Sequence, residues 1–208
     1  MGERFTTLAG VAAPYLVENV STNVISLQKP HGAPPYASAR DELFNGLRFD
    51  ADGNEIPGFV LNRPEFRAAK FLVAGANFGC ASSREAAVKA LAAFGIRCVI
   101  APSVGEIFFN NCFRFGVLPA ILPEADVLAL AAEAAPDAVF SADLAANTLA
   151  APSGKTYAIA LPAFRRQQLL EGLDEVALTL TRAAAIAAFH AAARARRPWI
   201  YDVARGGR

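Results

Sequence analysis

Eleven residues in the middle of the chain, Gly75-Ala-Asn-Phe-Gly-Cys-Ala-Ser-Ser-Arg-Glu85, assemble the groups that hold an anion. Gly75 and Gly79 allow tight turns and close approach of a ligand to the backbone. A helix beginning at the two serines offers unpaired N–H groups and the positive end of its dipole. The hydroxyls of Ser82 and Ser83 and the guanidinium of Arg84 add donors suited to a carboxylate or a phosphate, because arginine grips such groups with two parallel hydrogen bonds. Asn77 and the backbone at Gly79 are further candidate contacts. The spacing matches neither GxGxxG nor GxxxxGK[ST], which argues against a nucleotide. The same residues also read more plainly: Ser82 caps a helix, Glu85 completes a capping box three residues on, and Arg84 is a solvated first-turn side chain.

The surrounding pattern supplies elements able to position this segment. Lys70–Ala74 is a short apolar run that reads as a buried strand. The helix is expected to run from the serines through EAAVKALAAF and to stop at Gly95. Ile96–Ala101 reads as the next strand, which makes a βαβ unit with a right-handed crossover. A second unit follows, with a helix over Val104–Phe113, a break at Gly116 and a strand over Val117–Leu122. Phe5–Val17, interrupted by Gly10 and Pro14, suggests short strands around a bend. Gln28–Arg40 reads as one long loop, and Asp50–Pro57 as a turn cluster. Farther on, Asp126–Ala134 is expected to be helical, Ala138–Ala160 to form small strands about a Pro152–Lys155 turn, and Thr181–Arg196 to form an alanine-rich helix. The pattern is α/β in one body over residues 1–208, with a flexible tail from about 200.

Composition narrows the chemistry. The 208 residues carry 20 basic and 19 acidic side chains, a formal charge of +1, so no overall field attracts nucleic acid or an anionic membrane. Two histidines (His31, His190) and three cysteines (Cys80, Cys98, Cys112), without CxxC or HxxxH spacing, argue against a metal site or a disulfide framework built by this chain alone. The cysteine usage fits a reducing cytoplasm, and neither a signal peptide nor a membrane-spanning run is expected.

The segment GANFGCASSREAA resembles the G-x-N-F-G-C-G-S-S-R-E-H-A signature of the small subunit of 3-isopropylmalate dehydratase, the counterpart of the swivelling domain of aconitase. FDADGNEIPGFVLN (Phe49–Asn62), GIRCVIAPSVGEIFFNNCFRFGVLPAILP (Gly95–Pro123) and PAFRRQQLLEGLDEVALTL (Pro162–Leu180) are similar to family segments in the same order. The resemblance implies a single swivelling β/β/α-type domain with central βαβ units. It implies a reversible dehydration of a small 2-hydroxy dicarboxylate, shared with a large subunit that carries a 4Fe-4S cluster. It also implies that Ser82 is the base and that Ser83 and Arg84 bind a substrate carboxylate. The three cysteines are then packing or lining residues, not cluster ligands.

Several positions depart from the family pattern. Ala81 stands where the signature has Gly, and Ala87 where it has His. Asn19-Val-Ser-Thr-Asn stands where N-V-D-T-D is common, so Ser21 and Asn23 replace two acids. In the loop that follows, Tyr36 falls at the position of a substrate-contacting arginine; Arg40, Lys29 and His31 are candidates to replace its charge. Such changes leave open a related dehydratase acting on a methylmalate, citraconate, dimethylmalate or homoaconitate-type diacid, or a non-catalytic regulatory subunit. His190 reads as a packed or surface histidine. The arginines of the C-terminal end read as a solvated helix end and tail.

Overall fold

The computed structural model describes residues 4–27, 35–81 and 83–201. Among them a seven-stranded sheet has the order β4-β3-β2-β1-β5-β6-β7. Its strands are β1 (Thr7–Tyr15), β2 (Phe71–Ala74), β3 (Cys98–Ala101), β4 (Leu118–Ile121), β5 (Val139–Asp143), β6 (Thr148–Ala150) and β7 (Thr156–Ala158). Three single-turn helices, α1 (Thr22–Ile25), α2 (Ala39–Glu42) and α3 (Asn45–Arg48), lie between β1 and β2. The longer helices are α4 (Glu85–Phe94), α5 (Glu106–Arg114), α6 (Glu124–Ala132), α7 (Ala163–Glu171), α8 (Glu175–Leu180) and α9 (Ala183–Arg196).

The sheet is parallel across β1 to β4 and antiparallel across β1, β5, β6 and β7. β1 makes the change of sense by itself. Thr7–Val11 pairs antiparallel with β5, and Ala12–Tyr15 pairs parallel with β2. The expected bend within Phe5–Val17 is therefore one continuous strand. Pro14 is tolerated because that half of β1 has a paired strand on one side only, where a missing N–H removes no ladder bond. Pro119 obeys the same rule on the outermost strand, β4.

The four residues of β2 and the four of β3 are all buried, which is why they read as uninterrupted apolar runs. Their side chains alternate between two cores. Leu72, Ala74, Val99 and Ala101 pack with Val88 and Leu91 of α4, with Phe108 of α5, and with Phe44 and Phe78. Phe71, Val73, Cys98 and Ile100 pack with Val127 and Leu130 of α6, and with Phe140 and Leu149 of the antiparallel strands. Phe108 and Phe113 are core residues, while Phe109 and Phe115 pack at its margin.

Other expectations shift at their ends. Of the loop expected over Gln28–Arg40, residues 28–34 lie outside the described residues, and its last two belong to α2, whose preceding Ser38 accepts from the Asp41 N–H. The pair α7 and α8 has no clear signal in the apolar pattern. It is bounded by Pro162, by Gly172 in the left-handed region (φ 65°), and by the capping carboxylate of Asp174. His190 is exposed on α9, with its ring edge-on to Tyr201. Most of the expected flexible tail, residues 202–208, lies outside the described residues.

A buried cation ties the β1–β2 connection to the end of α4. Arg48 is 5% exposed; its Nε donates to Asn62 Oδ1 (3.1 Å) and its Nη1 to the Arg40 carbonyl (3.1 Å). Asn62 returns the contact by donating to the carbonyls of Arg48 (2.6 Å) and Ile56 (2.9 Å). The guanidinium also lies over the Phe94 ring, 5.0 Å from its centroid. Removing the Asn62 amide strands the buried Arg48 Nε, while the Arg48 and Ile56 carbonyls keep their backbone donors, so Asn62→Ala is expected to cost about 2 kcal/mol in urea unfolding. A cost no larger than that of an ordinary surface change, about 0.5 kcal/mol, would show the pair to be dispensable.

Candidate functional site

In parallel α/β sheets, ligands gather outside the carboxyl ends of the strands. Here three connections leave that edge together: the segment after Tyr15, the loop after Ala74 and the turn after Ala101. The middle one is the glycine loop, and the other two hold it from both sides. Toward the segment after β1, Asn19 N donates to Ala76 O (2.9 Å), while Gly79 N (2.7 Å) and Cys80 N (3.2 Å) donate to Val20 O. Thr22 N donates to Cys80 O at 3.0 Å. Toward the turn after β3, Phe78 N donates to Ser103 O (3.1 Å), and Gly105 N to Phe78 O (2.9 Å).

Side chains add to this clamp. Asn77 N donates to Ser103 Oγ (2.9 Å), and Asn77 Nδ2 donates to Asn19 Oδ1 (2.9 Å). The Cys80 thiol lies 3.4 Å from the Asn19 carbonyl oxygen. Phe78 anchors the loop from beneath: it is fully buried, with its ring edge-on to Phe108 at 5.5 Å. Gly79 sits directly on that same ring. A Cβ there would come within 2.3 Å of Phe108 Cγ, and the residue is in the left-handed region (φ 72°). Asn77, one of the expected contacts, is exposed, whereas Gly79 is buried.

The loop delivers the chain to α4, but the helix starts later than the capping-box spacing suggests. Its first residue is Glu85, and the preceding Arg84 is extended (φ −120°, ψ 109°) with no side-chain cap. Glu85 forms an ion pair with Arg114 of α5 and so ties the start of α4 to its neighbour. Ser83 is exposed and Arg84 half-buried immediately before the helix, while Ser82 lies outside the described residues. A cleft of about 160 Å³ opens between the glycine loop and the start of α5, lined by Gly79, Cys80, Ala81, Gly105, Glu106 and Ile107. Ala81 holds φ at 72°, a conformation that costs a residue with a Cβ about 1–2 kcal/mol. That explains why glycine suits this position in the signature. Ala87, where the signature has His, is fully buried in the core under α4.

One expected contact, Arg40, is placed elsewhere. Arg40 donates to Phe94 O (2.9 Å) and lies over the Phe94 ring (4.5 Å), at the last residue of α4. That is about 14 Å along the helix axis from Glu85, so its charge serves the far end of the helix. Tyr36 donates to Leu27 O (2.9 Å) and lines a shallow groove with Glu42 and Lys89. Burial, and then the Glu42 charge, push its phenol above the ordinary value. Lys29 and His31 lie outside the described residues. Of the two replaced acids, Ser21 forms a parallel bridge to Cys80, and Asn23 is exposed on α1. Asn19 and Ser103 do not stand out in the sequence as site residues. Their only signals are an asparagine able to adopt the left-handed region and a serine directly after a buried strand.

The thiols do not fit an iron–sulfur centre. Cys98 and Cys112 are fully buried, and burial pushes both well above the ordinary thiol range, so they stay protonated. Cys80 is half-buried against the Asn19 carbonyl. Among the described residues, no group of three His, Cys, Asp or Glu side chains could hold a metal ion, and no helix is long and apolar enough to cross a membrane.

A mixed sheet whose parallel half delivers a clamped glycine loop to the start of α4 defines an α/β domain of the aconitase swivelling class. The model of the aconitase C-terminal domain matches residues 2–125, and that of the C-terminal domain of the 3-isopropylmalate dehydratase small subunit matches residues 175–203. The chain belongs to the 3-isopropylmalate dehydratase small-subunit family. It is 48% identical over 200 residues to the 3-isopropylmalate dehydratase small subunit of Jannaschia sp., covering 95% of this chain and all of the relative. The small subunit from Paramagnetospirillum magneticum is 46% identical over the same length. The solved structure of 3-isopropylmalate dehydratase from Methanocaldococcus jannaschii shares the fold, with a TM-score of 0.60 at 23% identity over 87% of this chain and 98% of that one.

The strain at Ala81 is directly measurable. Ala81→Gly relieves the left-handed penalty and gives back part of the gain as unfolded-chain entropy. A net stabilisation of about 0.5–1 kcal/mol is expected in urea unfolding. A destabilised variant would show that Ala81 is not strained.

Proposed function

We propose that this chain is the small subunit of a 3-isopropylmalate dehydratase, a hydro-lyase that interconverts 2- and 3-isopropylmalate in leucine biosynthesis by removing and re-adding water. One observation carries this reading: the clamped loop ending in Ser83 and Arg84 at the start of α4, within a chain 48% identical to a small subunit of that enzyme along the relative's whole length. The working enzyme is cytoplasmic and contains a large subunit. A 4Fe-4S cluster held by that large subunit supplies Lewis-acid chemistry at the departing hydroxyl when bound.

This chain's share of the work is to hold one carboxylate and to manage one proton. The Arg84 guanidinium, the Ser83 hydroxyl and the unpaired N–H groups of the first turn of α4 grip a substrate carboxylate. Asn77 and the Gly79 backbone line its approach. Negative charge builds on that carboxylate as the neighbouring C–H bond breaks, and the same donors stabilise it in the transition state. The Ser82 oxygen accepts the proton in dehydration and returns it in rehydration. A serine is a poor base at its ordinary pKa, so this role requires the positive helix end and Arg84 beside it. Arg40, bonded to Phe94 O at the far end of α4, is not part of this set; Tyr36, which shares a groove with Lys89 one turn into α4, stays a candidate contact.

The test is anaerobic co-expression with the candidate large subunit, followed by turnover of 2-isopropylmalate, citraconate and dimethylmaleate. Turnover is expected with 2-isopropylmalate, and preference for another diacid would overturn the assignment. Ser82→Ala should lower kcat by at least about 100-fold, a loss in the range of a positioned general base, without unfolding the chain. Unchanged turnover in that variant would remove Ser82 from the chemistry.

A further inference from the structure

The clamp around the glycine loop contains two side chains that lie outside the proposed substrate set, and both converge on Asn77. Asn19 accepts from Asn77 Nδ2 and Ser103 accepts from Asn77 N, each at 2.9 Å. They come from different connections, one following β1 and the other following β3, so Asn77 is pinned from both sides. Asn19 and Asn77 both hold left-handed backbones, at φ 55° and 56°. Non-glycine residues persist there only where their surroundings over-determine the conformation. Asparagine is the side chain that tolerates this region best and can bond locally at the same time.

We infer that Asn19 and Ser103 are positioning residues for the reaction: they lock the register of the loop and thereby fix where Ser83 and Arg84 meet the substrate carboxylate. The inference rests on the proposed dehydratase function. Its physical basis is the short path from the clamp to the site. Seven residues separate Asn77 from Glu85, and the backbone bonds of Gly79 and Cys80 to Val20 lie between them. Without the two side-chain bonds, those backbone bonds and the Phe78 anchor still hold the loop near the sheet. The loop would then sample more than one register without unfolding. Misplacement of about 1 Å at a reacting group costs up to about 100-fold in rate.

Substitutions can separate positioning from mere stability. Asn19→Gly keeps the left-handed backbone accessible and deletes the amide, whereas Asn19→Asp keeps an acceptor for Asn77 Nδ2. Ser103→Ala deletes the acceptor for Asn77 N, and Ser103→Thr keeps a hydroxyl at an exposed site. In the complex assembled with its large subunit, Asn19→Gly and Ser103→Ala should each lower kcat by about 10- to 100-fold with little change in melting temperature. Asn19→Asp and Ser103→Thr should restore most of it. Amide exchange at Phe78, Gly79 and Cys80 should accelerate in the two deletion variants and not in the two conservative ones. Wild-type kcat in Asn19→Gly and Ser103→Ala, or losses that merely track a lowered melting temperature, would overturn the inference. The exchange measurement needs no substrate. If the wild-type complex prefers another diacid, the function assignment falls, and the positioning role is still tested by exchange and by turnover of that diacid.

Discussion

Because β1 is hydrogen-bonded to β5 along Thr7–Val11 and to β2 along Ala12–Tyr15, the chain leaves β1 and β2 at the same edge of the sheet, about 4.8 Å apart. The glycine loop therefore runs beside Asn19–Thr22, close enough for Val20 O to accept from two successive N–H groups. The parallel step from β2 to β3 brings the Ser103–Gly105 turn to the opposite side. Without the switch of partner within β1, the loop after Ala74 would lose one of its two flanks, and the start of α4 would hang from a free connection.

The flanks make tolerable a backbone that would otherwise be unfavourable. Between Asn19 and Ala81, four residues of the clamp hold positive φ: Asn19, Asn77, Gly79 and Ala81. Gly79 accepts this without a steric penalty and lets the loop lie on the Phe108 ring, where a methyl would collide. The two asparagines recover part of their cost through their mutual amide bond. Ala81 has no such compensation. The buried Phe78, edge-on to Phe108, holds the middle of the loop to the core while its ends turn. The loop is thus anchored by one aromatic below and by hydrogen bonds on both sides, as far as Cys80 O, which accepts from Thr22 N.

Much of this is legible in the sequence where local pattern and tertiary role agree. The short apolar runs before Gly75 and after Gly95 announce β2 and β3, because strands covered on both faces need no polar alternation, and the stretch between the glycines announces α4. The failures are tertiary. Gly10 and Pro14 suggest a break in β1, but Pro14 falls where β1 has one neighbour, a fact that only the sheet order reveals. Ser82 and Glu85 have capping-box spacing, yet Glu85 is used by Arg114, a partner 29 residues away. Arg40 looks like a replacement for a missing substrate arginine. Its guanidinium instead meets the α4 carboxyl terminus, where a cation complements the exposed carbonyls and the negative dipole end. Asn77 stands out in the signature, but its two partners, Asn19 and Ser103, lie 58 and 26 residues away, and no local spacing connects them.

The proposed division of chemistry between two chains agrees with the placement of this chain's thiols. Buried, protonated Cys98 and Cys112 belong to the two cores of the sheet, so their sulfur serves packing. The groups that the proposed site turns toward substrate are a hydroxyl, a guanidinium and a helix terminus, none of which would polarise a leaving hydroxyl as a metal does. Such groups act by position. A weak base becomes competent only when the charge that stabilises its transition state is held at constant distance, and a guanidinium on a loose connection would not provide that. In the proposed enzyme, a clamp that fixes the loop from both neighbouring connections would therefore be as much a part of the chemistry as the serine and arginine that follow it.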